Sequence, residues 1–138
     1  MMIIILIIAL VLGLLLLAVI GKSGPKTTGK NRTKSIDREF VALRWSEIEG
    51  MTGGSLRSAV SEADKLLDYA LRHSGATGAT MGERLKSSGS RFSDIDAIWS
   101  AHKVRNALAH EAEFDLVPAQ AKEAVASFKQ GLRDLGAL

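Results

Sequence analysis

Residues 56–73, LRSAVSEADKLLDYALRH, set Leu56, Ala59, Val60, Ala63, Leu66, Leu67, Ala70 and Leu71 three and four positions apart. At 3.6 residues per turn this spacing gathers the apolar side chains on one helical face and leaves the charged ones on the other. No segment elsewhere alternates apolar and polar residues over strand length without a helical period fitting better. The predicted fold class is therefore all-α: an N-terminal transmembrane helix followed by a compact up-and-down bundle of four main helices plus one short helix.

Working outward from that helix, residues 36–49 predict a first helix with Ser35 as N-cap and Phe40, Leu43 and Ile48 turned inward. GMTGG at 50–54 ends it. After His73, SGATGAT at 74–80 breaks the chain, and Thr80 with Glu83 has the form of a capping box opening a short helix to about Lys86. Ser93 with Asp96 has the same form and predicts a helix over 94–111. Pro118, a favoured first-turn residue, opens a last helix whose stripe is Ala121, Ala124, Val125, Phe128, Leu132 and Leu135.

Met1 to Ile20, MMIIILIIALVLGLLLLAVI, carries no charge. At about 1.5 Å of rise per residue it is just long enough to cross a hydrocarbon core of roughly 30 Å. No Lys or Arg precedes it and LAVIGKSG at 17–24 has no Ala-x-Ala site, which favours a retained anchor over a cleaved signal peptide. Residues 21–35 read as a flexible linker, and 36–138 as the folded domain. Five of the chain's 18 basic residues, Lys22, Lys26, Lys30, Arg32 and Lys34, lie in the linker, which has no acid. The 13 that remain face 15 acids, a net of −2, so the overall +3 belongs to the linker. Basic residues beside a membrane helix are retained on the cytoplasmic side. The expected arrangement is single-pass in the inner (cytoplasmic) membrane, with the N-terminus outside and the C-terminal domain in the cytosol. The linker either binds anionic lipid or serves only as a tether. The chain has no cysteine, which removes disulfides and thiol chemistry from consideration.

The polar residues of WSAHKVRNALAHE (99–111) fall on an unusual face. On a helical wheel Ile95, Ile98 and Trp99 share an arc that continues into His102, Arg105, Asn106, Ala109 and His110, whereas Asp96, Ser100, Lys103 and Glu111 fill the wedge expected to meet water. Polar groups on a half-buried face need partners. A purely structural arrangement would pair Arg105 with Asp64 or Asp68 and set His110 against the helix C-terminus. A metal site is not expected: His102 and His110 are eight residues apart, about 12 Å along a helix, and His73 would have to come from another helix end. No cofactor is implied either, since GATGAT (75–80) follows a helix rather than a strand and lacks the Gly-Lys-Ser/Thr of a phosphate loop.

Arg105, the polar Asn106 and His110 after four intervening residues, RNALAH on a late helix of a small all-helical bundle, resemble the signature of the HEPN domain superfamily. The resemblance spans roughly residues 36–138 and is specific at those three positions. It implies metal-independent endoribonuclease chemistry in which a ribose 2′-hydroxyl attacks the adjacent phosphate. His110 would then move a proton, Arg105 would stabilise phosphate charge and Asn106 would orient one of these groups, with His102 a further candidate in the cleft. It also implies a homodimer, for which Ile95, Ile98 and Trp99 are the expected apolar surface, and RNA as the substrate. The alternative is a non-catalytic, membrane-tethered module that binds a protein or a nucleotide; the acidic balance of the domain argues against general RNA binding.

Overall fold

The structure, a computed structural model, describes residues 35–138. The expected membrane span at 1–20 and all but the last residue of the basic linker lie outside the described residues. Among the described residues there are five α-helices and no strand: α1 Arg38–Glu49, α2 Leu56–His73, α3 Met81–Ser87, α4 Ile95–His110 and α5 Pro118–Asp134. None of these helices is long and apolar enough to cross a membrane.

The long amphipathic stripe makes α2 the central element, packed against the four other helices. Ala59, Val60, Ala63, Leu66, Leu67, Ala70 and Leu71 are all buried, as the spacing requires. Against them α5 brings Ala121, Ala124, Phe128 and Leu132, also buried, and α4 brings Ile98 and Ala101. Side chains as large as Leu67, Leu71, Ile98, Phe128 and Leu132 each contribute about 1.5–3 kcal/mol when fully removed from water. Gly131 lets these helices close on one another: a Cβ there would stand 3.0 Å from Ile98 Cδ1 and 3.3 Å from both Leu67 methyls.

Three expectations are corrected. The first helix is capped by Asp37, whose carboxylate accepts from the Phe40 N–H at 3.0 Å, and not by Ser35. It buries Val41, Trp45 and Ile48, while Phe40 and Leu43 are 40% and 62% exposed. Its apolar residues lie on more than one side, and the i, i+4, i+7 row that includes the bulky indole is the one that is buried. At the start of α4 the cap is Asp94, accepting from the Ala97 N–H at 2.9 Å. Ser93 is engaged elsewhere, its N–H and hydroxyl both donating to Asp134 Oδ2 at 2.8 Å.

The Thr80–Glu83 capping box forms as its sequence predicts. Thr80 Oγ1 accepts from the Glu83 N–H, and the Glu83 carboxylate accepts from the N–H groups of Thr80 and Ala79. Those two backbone donors, Thr80 first, hold the Glu83 carboxyl below the ordinary glutamate value. The short α3 is thereby fixed at its N-terminus, and it forms one wall of the site described next.

Candidate functional site

Two residues stand where a helical bundle would ordinarily place apolar side chains. On α2 the row Val60, Asp64, Leu67, Leu71 is interrupted by Asp64, which is 4% exposed; on α4 the row Ile98, Ala101, Arg105, Leu108 is interrupted by Arg105. A carboxylate so deeply placed must be compensated. Arg105 Nε lies 3.3 Å from Asp64 Oδ2, and His102, one turn earlier on α4, places Nδ1 2.7 Å from Asp64 Oδ1. One buried carboxylate thus serves an arginine and a histidine together.

The rest of the guanidinium is less committed. Arg105 Nη1 donates to Asn106 Oδ1 at 3.2 Å, and Nη2 has no protein partner among the described residues. A carboxylate only accepts, so Asp64 fixes the hydrogen of a neutral His102 on Nδ1 and leaves Nε2 as the acceptor. That Nε2 has no protein partner among the described residues, and the His102 side chain is 11% exposed.

These groups line a cavity of about 580 Å3 between α2, α3 and α4. Trp99 forms a side of it, its ring edge-on to His102 at 6.0 Å between centroids. Gly82 on α3 allows the indole to approach: a Cβ there would lie 3.5 Å from Trp99 Cη2. The α3 wall is tied to α2 by Arg84, which is 8% exposed. Its Nε and Nη2 both reach Asp68 Oδ1 at 2.7 Å, and Nη1 donates to the Gly78 carbonyl at 2.7 Å.

The charge of the cavity differs from that of the domain. Lys65, Lys103 and Arg105 line it together with Asp64 and Asp68. Both carboxylates are already covered, Asp68 by Arg84 and Arg72 and Asp64 by His102 and Arg105. Lys103 has no carboxylate partner among the described residues, and Lys65 is paired only at the surface with Glu62. The unspent charge is positive, which suits an anion rather than a cation. Among the described residues no three His, Cys, Asp or Glu side chains cluster as ligands of one metal ion.

Of the residues singled out in the sequence, Arg105, Asn106, His102 and Trp99 are brought together here. His110 is not among them: it is the last residue of α4, exposed, and outside the cavity lining. The arc expected to mediate self-association is divided, with Ile98 sealed in the core at 1% exposure and Ile95 and Trp99 half-buried. His73 sits at the end of α2, where Nδ1 donates to the Tyr69 carbonyl at 2.8 Å and its ring lies 3.9 Å from that of Tyr69. Sequence reasoning paired Arg105 with Asp64 or Asp68 but missed the bond from Asp64 to His102. The available signal was the acid breaking an otherwise apolar row of α2.

The chain matches no protein-family model, no curated protein and no solved structure.

Proposed function

We propose that the chain is a membrane-anchored, HEPN-like endoribonuclease that cleaves single-stranded RNA without a metal ion. The observation that carries this reading is the arrangement of Arg105, Asn106 and His102 along one cavity whose carboxylates are already compensated. A phosphodiester placed there would meet the open Nη2 of Arg105 and the ammonium of Lys103, charge-assisted donors of the kind that stabilise developing phosphate charge. Trp99 supplies an aromatic edge or face for a base beside that phosphate, as in single-strand readers. The apolar run Met1–Ile20 would hold the domain at the cytoplasmic face of the membrane, with the basic linker against lipid or as a tether.

In this reading the ribose 2′-hydroxyl attacks phosphorus, the 5′-oxygen leaves, and a 2′,3′-cyclic phosphate remains. The resemblance assigns the proton transfer to His110, which would have to reach the cleft in a homodimer completed by a second copy. The competing reading, a tethered module that binds a nucleotide or protein without catalysis, draws on the exposure of His110 outside the cavity and on the engagement of Arg105 by Asp64.

Incubating the purified full chain with mixed single-stranded RNA in excess chelator separates the two. The enzyme produces cleavage that Arg105→Ala abolishes. The binding module produces none, and cleavage that survives Arg105→Ala excludes this cavity as its source.

A further inference from the structure

We infer that His102, oriented by Asp64, is the proton acceptor of the cavity, and that the reaction does not require His110 in that role. The inference rests on the ribonuclease reading above and assigns a step within it. His102 is 11% exposed at its side chain, and its Nδ1 is held at 2.7 Å by a carboxylate that is itself 5% exposed. The remaining nitrogen, Nε2, is unpartnered among the described residues, and His102 lines the cavity together with Arg105 and Lys103. A base next to an open anion-binding fork is the pairing that phosphodiester cleavage needs, and an acid behind the imidazole fixes its tautomer and stabilises the imidazolium once formed. His110, exposed at the end of α4, has no comparable carboxylate partner among the described residues.

His102 Nε2 takes the 2′-hydroxyl proton as the 2′-oxygen–phosphorus bond forms. The bond from phosphorus to the 5′-oxygen breaks, that oxygen takes a proton from water, and the imidazolium returns its proton to the resulting hydroxide. Arg105 Nη2 faces the non-bridging oxygens throughout. Asp64 does not touch the substrate and acts as a positioning residue.

The test uses the full chain and a short single-stranded RNA of mixed sequence. His102→Asn retains a donor toward Asp64 while removing Nε2. It is expected to leave the melting temperature and the affinity for an uncleavable 2′-deoxy analogue near wild type, and to lower the cleavage rate 10²- to 10⁴-fold. Imidazole added to His102→Ala is expected to restore part of the rate, which a packing role would not allow. Asp64→Asn is expected to lower kcat more than it raises KM. His102→Asn that cleaves within about threefold of wild type, beside an inactive His110→Ala, overturns the inference and leaves the ribonuclease standing. A wild-type chain that cleaves no RNA overturns both.

Discussion

The Asp64 carboxylate lies 2.7 Å from His102 Nδ1 across 38 residues of sequence, joining α2 to α4 in the middle of the bundle. The same carboxylate takes Arg105 on its other oxygen. Removing it leaves two donors unpaired at the cavity wall, Arg105 being 29% exposed at its side chain. Asp64→Ala should therefore cost about 2–4 kcal/mol, somewhat below the roughly 3–5 kcal/mol of a fully buried ion pair because Arg105 is partly exposed. Asp64→Asn, which keeps one acceptor, should cost less. Thermal melts followed by circular dichroism check the order, and equal melting points for the two variants would contradict it.

Trp99 reports on the cavity. In Trp45→Phe it is the chain's only tryptophan, so its emission should change when a ribonucleoside 3′-monophosphate is titrated in. Arg105→Ala should weaken that binding roughly tenfold or more, since a charge-assisted hydrogen bond contributes about 1.5–3 kcal/mol. An unchanged dissociation constant would show that the phosphate does not meet Arg105.

Gly78 has φ +138°, and a Cβ there would stand 2.6 Å from Glu83 Cβ and 2.9 Å from the Arg84 nitrogen. Its carbonyl also receives Arg84 Nη1. Gly78→Ala should cost about 1–3 kcal/mol through backbone strain and overlap and should loosen the α3 wall of the cavity. Denaturant unfolding measures the cost. Hydrogen exchange should show faster exchange in Met81–Ser87 than in the core of α2.

The fold was legible where periodicity and caps agree. Leu56–His73 follows from its own spacing, α3 from Thr80 and Glu83, and α5 from Pro118 and its apolar row. The inward face of α1 was not, because Phe40 and Leu43 are as apolar as Val41 and Trp45 and only tertiary packing chooses between the rows. The candidate site was legible in part: of the RNALAH motif, Arg105 and Asn106 line the cavity with His102 from the preceding turn, whereas His110 lies outside it. It was not legible in the partners that give them chemistry: the bond of Asp64 to His102, and that of Asp68 to Arg84, form between residues far apart in sequence. Ser93 illustrates the same limit, since its local capping role yields to a bond with Asp134, 41 residues away.

That last contact predicts an acid response. Burial pushes the Asp134 carboxyl up, but the Ser93 N–H, Gln130 and the Ser93 hydroxyl outweigh it and leave the group below its ordinary value of 3.8. A carboxyl with a depressed folded value stabilises the fold fully above the unfolded value and loses that contribution as pH falls below it. Stability measured by urea unfolding should therefore decline from about pH 3.8 downward. Asp134→Asn should flatten part of that decline, and a wild-type slope retained in the variant would assign the acid response elsewhere.

The central claim is that this cavity directs a ribose 2′-hydroxyl onto its own phosphate. The most direct measurement is mass analysis of the ends produced from a single-stranded RNA carrying one 2′-O-methyl nucleotide, incubated with the wild-type chain in excess chelator. The account predicts 2′,3′-cyclic phosphate ends at cleaved positions and no cut on the 3′ side of the methylated nucleotide. Cleavage at that nucleotide, or 5′-phosphate ends throughout, would contradict it.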